Sequence, residues 1–214
     1  MKYKTVIWDF NGTILDDTGI SMDAMNIVLE RRNLKRISSI SEFRHVFGFP
    51  VKDYYERIGL DFSKEPYKIP ADEWIALYNE RMYSAPLIEN AREALDLIRS
   101  AGISQMILSA SETNRLKRHL ERLGITEYFD EIHGADDVYA KGKDERARDL
   151  SKRKELFPSA FIGDTDHDAA CADLCGCDAY LFSGGFMSAE RLAALGVPVF
   201  ESLFDIAKII ISKE

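Results

Sequence analysis

Cysteine is scarce in this chain: three in 214 residues, Cys171, Cys175 and Cys177, all in one short Ala-rich segment. An odd, clustered set with no secretory signal argues against a disulfide framework. A zinc site needs a fourth ligand, and His167, the nearest extra candidate, completes no standard spacing. The three thiols are therefore read as small packing residues within DAACADLCGCDAY. Long apolar runs are missing too, since none approaches the roughly 18 residues of a membrane span. Basic residues number 28 against 36 acidic ones, a net charge of −8. That deficit disfavours nucleic acid, whose binding displaces counterions from a basic face, and it disfavours a membrane surface. Met1–Thr5 runs straight into a strand-like stretch with no cleavable leader, so the expected compartment is the cytoplasm.

What is present is the balance of a soluble globule, 46% hydrophobic and 30% charged. A chain of this length buries a full core without covalent staples. Short apolar, β-favouring runs recur at 4–9 (KTVIWD), 103–109 (ISQMILS), 159–164 (SAFIGD) and 179–182 (AYLF), with weaker ones at 131–133 and 197–200. Their lack of alternation suits strands covered on both faces. Helical spacing lies between them: Ile88, Ala91, Leu95 and Ile98 before Gly102, then Leu116, Leu120 and Leu123 before Gly124. Strands alternating with helices predict a doubly wound α/β fold on a parallel, Rossmann-like sheet.

Residues 16–85 break that rhythm with helices and no convincing strand. Ile20, Ala24, Ile27 and Val28 share one helical face. Ser39-x-x-Glu42 reads as a capping box, Pro50 starts a third helix ending at Gly59, and Trp74, Leu77 and Tyr78 mark a fourth. The expected organisation is an α/β core from 1–15 and 86–214, with an all-helical cap inserted at 16–85.

In such a sheet, ligands bind beyond the carboxyl ends of the strands. Those ends carry Asp9-Phe10-Asn11-Gly12-Thr13, Ser109-Ala110-Ser111, the Lys141 and Lys143 segment, and Gly163-Asp164-Thr165-Asp166-His167-Asp168. Clustered carboxylates suit Mg²⁺, a hard ion that prefers oxygen ligands. A carboxylate beside that ion can attack phosphorus. A hydroxyl and an ammonium can hold the phosphoryl oxygens.

These stretches resemble the four motifs of the haloacid dehalogenase (HAD) superfamily, in particular phosphatases with a helical cap such as phosphoglycolate phosphatases. VIWDFNGT matches the first motif except at Asn11, MILSAS the second, AKGKDERARDL the third, and Gly163, Asp164 and Asp168 the fourth. The resemblance implies that Asp9 is the nucleophile and a metal ligand. It makes Ser109, with Ala110, the phosphate-binding segment, and Asp164 the second carboxylate on Mg²⁺. Asp168 would act on the metal directly or through water. The Lys-Gly pattern favours Lys141 over Lys143 as the catalytic, phosphate-binding lysine.

Asn11 is the departure. In the family's phosphatases an Asp here protonates the leaving alkoxide and then deprotonates the attacking water; an amide does neither, although its main-chain carbonyl can still ligate Mg²⁺. The expected activity is Mg²⁺-dependent hydrolysis of a small phosphorylated metabolite through an aspartyl-phosphate, slowed by Asn11. The alternatives are a phosphate- and metal-binding protein with little turnover, or cleavage of C–P or C–halogen bonds. His167 is expected near the metal, Gly184-Gly185 either flank the phosphate or form a plain turn, and His45 with Arg44, Lys52 and Arg57 lies in the cap. The chain is expected to act as a monomer or homodimer.

Overall fold

The computed structural model describes residues 2–135 and 143–212. Strands form where the apolar runs predict them: β1 (Thr5–Trp8), β2 (Ser104–Glu112), β3 (Glu131–Ala135), β4 (Ser159–Gly163), β5 (Asp178–Phe182) and β6 (Val199–Phe200). Among the described residues they make one parallel sheet in the order β3-β2-β1-β4-β5-β6. The chain steps outward in opposite directions on either side of β1, so a crevice opens beyond the carboxyl ends of β1 and β4.

Between β1 and the returning segment at 86–88 lie four α-helices and no strand: α1 (Thr18–Glu30), α2 (Ile40–Val46), α3 (Val51–Arg57) and α4 (Lys68–Arg81). They bury Met25, Leu29, Phe43, Tyr54 and Tyr55 in a cluster that Phe186 enters from the sheet side. Ser39 caps α2 by accepting from the Glu42 N–H at 3.1 Å. The expected box closes one residue early, because the Glu42 carboxylate takes the Ser38 N–H at 2.7 Å. The outgoing and returning segments pair with each other. Leu15 bridges Leu87, and Asp16 and Ile88 donate their N–H groups to Pro86 and Ile14, both at 2.9 Å.

The remaining helices are α5 (Ala91–Ser100), α6 (Thr113–Leu123), α7 (Lys143–Ser151), α8 (Asp166–Cys175), α9 (Ala189–Ala193) and α10 (Leu203–Ile211). Strand side chains alternate between faces. Val6, Trp8, Ile107 and Ile162 pack against α5, α6 and α10. Ile7, Met106, Leu108 and Phe161 pack against α7 and α8, where Cys171 and Cys175 are buried. The cysteines are free thiols, as their reading as packing residues requires. Among the described residues, no helix is long and apolar enough to cross a membrane.

Among the boundaries that differ from the sequence reading, two have a clear local cause. α5 begins at Ala91 rather than at 88 because Asn90 adopts a left-handed φ of 59°, which a helix does not accommodate. β2 runs on to Glu112, whose carboxylate then caps α6 by accepting from Asn114 and Arg115.

His119 on α6 is fully buried, and neither ring nitrogen has a hydrogen-bond partner among the described residues. It is wedged between Phe10 and Tyr83. Burial, reinforced by Arg122, Arg115 and Arg118, lowers its pKa to about 4. The unfolded chain therefore binds a proton between the ordinary histidine value and pH 4 that the folded chain refuses, and stability falls as pH drops through that window. His119→Leu should remove this dependence. Denaturation series at pH 8 and pH 5 should show a stability advantage for the variant that is larger at pH 5.

Candidate active site

β1 ends in Asp9, and the chain turns at once through Gly12, whose φ is +75°. That turn passes so close to its neighbours that a Cβ on Gly12 would sit 2.4 Å from Asp164 Oδ2. Gly185 is confined in the same way, since its Cβ would lie 2.2 Å from the same oxygen. Gly185 is thus part of the wall around Asp164 and not a plain turn. Thr13 Oγ1 donates to Asp164 Oδ1 at 2.7 Å, and the Phe186 N–H donates to Oδ2 at 2.6 Å.

Asp168 is oriented by the start of its own helix. Thr165 and Asp168 form a reciprocal capping box on α8. Asp168 Oδ2 accepts from the Asp164 N–H (3.1 Å), the Thr165 N–H (3.0 Å) and Thr165 Oγ1 (2.7 Å). Oδ1 is left to accept from Lys143 Nζ at 2.6 Å, and the same ammonium reaches Asp9 Oδ1 at 2.5 Å. Lys143 opens α7 and is only 3% exposed. It joins strand β1 to helix α8 beneath the crevice.

Asp9, Asp164 and Asp168 offer oxygens within 4.8 Å of one another, all buried. Burial pushes Asp9 up to about 7, against the pull of Lys143, with Asp168 adding to the rise. Burial, Asp168 and Asp9 together raise Asp164 well above the carboxylate range. Asp168 moves the other way: burial would raise it, but Lys143 and the Thr165 hydroxyl hold it below its ordinary value. Burial would lower Lys143, but Asp168 and Asp9 keep it above the ordinary lysine value. Three carboxylates with one ammonium leave excess negative charge in a dry site, a donor set that fits a hard divalent cation.

Asn11 belongs to a second network. Its Nδ2 donates to Asp17 Oδ2 at 2.8 Å and to the Tyr78 hydroxyl at 2.9 Å, and its Oδ1 accepts from Ser111 Oγ at 2.7 Å. The Tyr78 hydroxyl also donates to Asp17 Oδ2, and the Gly12 N–H donates to Oδ1 at 2.8 Å. Asp17 is fully buried, and that burial raises it to about 6 despite these donors. The network ties the turn after β1 to α4.

One cleft is thus lined by Asp9, Asn11, Ser109, Ala110, Asp164 and Asp168, together with Lys143. Lys141 lies outside the described residues; the lysine seen in the cleft is Lys143. His167 also lines it, with Nε2 2.6 Å from Asp144 Oδ1 and its ring 4.6 Å from that of Phe49. Arg44, Lys52 and Arg57 do not line it. Arg44 instead donates to the carbonyls of Gly184 and Gly185, the latter at 2.7 Å, and Arg191 donates to the last carbonyls of α2. Asp17 and Tyr78 escape the sequence motifs, because their roles arise only when α4 folds back over the turn after β1, and the motif stretch that holds Ser111 gave no sign of its bond to Asn11.

Two substitutions test these networks. Lys143→Met leaves the buried carboxylates without their counter-charge, and removing one partner of a buried pair costs about 3–5 kcal/mol. Urea denaturation at pH 7 without divalent cation should show that loss. Asn11→Asp sets a second carboxylate against Asp17. A penalty of about 2 kcal/mol would lower Tm by roughly 4–8 °C at pH 8 for a chain of this size. The drop should shrink at pH 5, where Asp17 carries a proton, and Asp17→Asn in the same background should recover most of it.

Comparison with known proteins agrees with this geometry. The haloacid dehalogenase-like hydrolase family model matches residues 6–182. A phosphoglycolate phosphatase of Caulobacter vibrioides is 25% identical over 214 residues, covering 95% of this chain and 89% of its own. The crystal structure of a predicted phosphatase from Clostridium acetobutylicum superposes with a TM-score of 0.80 at 19% identity, over 99% of both chains. A haloacid dehalogenase-like family protein of Streptococcus pneumoniae gives a TM-score of 0.80 at 18% identity, over 97% of this chain and 98% of its own. With its parallel sheet and converging motif residues, the chain belongs to the haloacid dehalogenase-like hydrolases.

Proposed function

We propose that this hydrolase is a Mg²⁺-dependent phosphatase, phosphoglycolate-phosphatase-like in architecture, acting on a small phosphorylated metabolite through an aspartyl-phosphate on Asp9. The observation that carries this reading is the buried Asp9–Lys143–Asp168 bridge beside Asp164 at the crevice of the sheet. Residues 16–85 serve as the cap that closes over the substrate.

Asp9 attacks phosphorus, held in place by Lys143. Lys143 also offsets charge on the phosphoryl oxygens, which Ser109 and the segment at Ala110 receive. Asp9, Asp164 and the Asn11 main chain would hold Mg²⁺, with Asp168 fixing Lys143 and the Asp164 loop between them. When bound, the ion supplies Lewis-acid stabilisation of the developing charge. Asp164 stays in place because Thr13 and the Phe186 N–H grip both its oxygens.

Asn11 divides the two half-reactions. Nucleophilic attack by Asp9 needs no acid when the leaving group departs readily. Hydrolysis of the aspartyl-phosphate needs a base for water, and the Asn11 amide, already donating to Asp17 and Tyr78, supplies none. General acid–base assistance is worth about 10²–10⁴-fold, so the second half-reaction should limit turnover.

Rapid mixing with p-nitrophenyl phosphate and Mg²⁺ should give a burst of nitrophenol approaching one equivalent per chain, then slow release. Asp9→Asn should show neither phase; more than a tenth of the wild-type rate would overturn the assignment. Because Asn11→Asp alone conflicts with Asp17, the double variant Asn11→Asp/Asp17→Asn is the one expected to speed the slow phase, by about 10- to 1,000-fold. Peptide mass spectrometry should accompany these assays, because Asn11-Gly12 is prone to deamidation and a one-dalton gain would mark protein already carrying Asp.

A further inference from the structure

The wall of the cleft opposite Asp9 comes from α1, α3, α4 and the 47–49 segment, and it is aromatic. Phe47, Phe49, Tyr54, Tyr55, Trp74 and Tyr78 line it, with no Lys, Arg or His of 16–85 among the described residues. Trp74 and Tyr78, both lining the cleft, stack with centroids 4.9 Å apart and planes 12° off parallel. The indole is pinned by its N–H to the Ser21 carbonyl (3.2 Å), and Tyr78 by its hydroxyl to Asp17. These rings are held in place and not free to swing away.

Charge in the cleft runs against an acidic leaving group. Among the described residues, five acidic side chains, those of Asp9, Asp17, Glu112, Asp164 and Asp168, line it with two side-chain cations that are charged at every working pH, Lys143 and Arg115. Lys143 is committed to Asp9 and Asp168, and Arg115 shares its stretch of wall with Glu112. Two polar atoms in the aromatic wall, Tyr54 Oη and Asn79 Oδ1, are buried without a partner among the described residues. Asn79 Oδ1 is an acceptor and would repel a carboxylate. Both atoms suit a neutral polar group on a ring.

Size narrows the choice further. The cleft offers about 180 Å³, and an apolar cavity of about 150 Å³ accepts one benzene ring. One ring with its phosphoryl group matches that space. Aromatic walls favour such a ring by offset stacking and edge contacts, whereas a carboxylate placed there loses its water without gaining a counter-charge.

Asn11 points independently to the same class. A phenol ionises near pH 10, as tyrosine does, about five to six units below water or an alkanol near 15.7. A phenolic oxygen leaves without the proton that an alkoxide requires, so the missing acid at position 11 matters least for an aryl ester.

We propose that the substrate is the phosphate monoester of a one-ring phenol bearing a neutral polar substituent, and that carboxylate-bearing phosphates such as phosphoglycolate are poor substrates. The proposal rests on the phosphatase reading above. In the first step the Asp9 oxygen forms a bond to phosphorus while the P–O(aryl) bond breaks. The aryloxide leaves with the bonding pair and takes its proton from water. In the second step water adds to phosphorus, Asp9 leaves as carboxylate, and inorganic phosphate is released with the remaining proton going to solvent.

The test uses the full chain with Mg²⁺ and separates ring recognition from leaving-group reactivity. Acetyl phosphate, a small substrate with a reactive leaving group, reports the phosphatase reading alone. Phenylphosphonate and phosphonoacetate keep the ring or the carboxylate beside a phosphoryl group that cannot be transferred. Against acetyl phosphate turnover, phenylphosphonate should inhibit at least tenfold more tightly than phosphonoacetate. Phenyl phosphate should exceed phosphoglycolate at least a hundredfold in kcat/KM. Trp74→Ala should raise KM for phenyl phosphate about tenfold more than for acetyl phosphate, with Trp74→Phe recovering most of the difference. Acetyl phosphate turnover with phosphonoacetate the tighter inhibitor, or with phosphoglycolate the better substrate, overturns the aryl assignment and leaves the phosphatase reading standing. Loss of both acetyl phosphate and phenyl phosphate turnover in folded, Mg²⁺-supplied protein overturns the phosphatase reading itself.

Discussion

Among the described residues, Lys143 is the only ammonium beside the three buried carboxylates, and the arrangement of the site follows from that imbalance. A buried charge needs a partner, so the first residue of α7 must stand under the ends of β1 and α8. Asp168 can serve Lys143 with one oxygen because the capping box of its own helix occupies the other. Asp164 is satisfied from a third direction, by Thr13 and the Phe186 main chain. Each carboxylate thus has a different set of donors, and their proton affinities diverge accordingly. The negative charge left over is what makes the site suited to a divalent cation.

The same constraint governs the glycines. Asp164 is approached so closely by Gly12 and Gly185 that no side chain fits at either position. Phe186, next in the chain, serves two ends: its N–H holds Asp164, while its ring enters the aromatic cluster of the four inserted helices against Phe43 and Phe47. Arg44 returns the contact by holding the carbonyls of Gly184 and Gly185. The loop that shapes the metal-side wall is therefore the loop on which the helical insert rests.

Asn11 is embedded in this arrangement and not an isolated replacement. Its amide donates where a carboxyl group would repel, to an Asp17 that is fully buried and shared with Tyr78. Residue 11 and residue 17 are an amide–acid pair, and exchanging one without the other sets like charges together. The aromatic face that Tyr78 shares with Trp74 depends on the same pair. The amide at position 11 and the aromatic side of the cleft are thus linked through one hydrogen-bond network.

Much of this was legible before folding. The unbroken apolar runs identified a parallel sheet, since strands covered on both faces have no polar side to show. Asp9, Ser109, Asp164 and Asp168 stood at or just beyond strand ends, where this topology places ligands, and local signals marked the cap of α2 and the start of α3. The Lys-Gly pattern favoured Lys141, which lies outside the described residues, and the bond from Lys143 to Asp9 was not legible because it depends on three-dimensional reach. The roles of Asp17, Tyr78 and Trp74 were likewise silent: the two aromatics marked only a helix, far in sequence from Asp17, and the three became a network and a wall only when α4 packed across the turn after β1. The chain by itself determined the fold and the chemistry of the strand ends, because periodicity and strand-end position are local properties. The tertiary structure alone decided that Lys143 is buried against Asp9 and Asp168 and what Asn11 is bonded to, because those depend on contacts between residues remote in sequence.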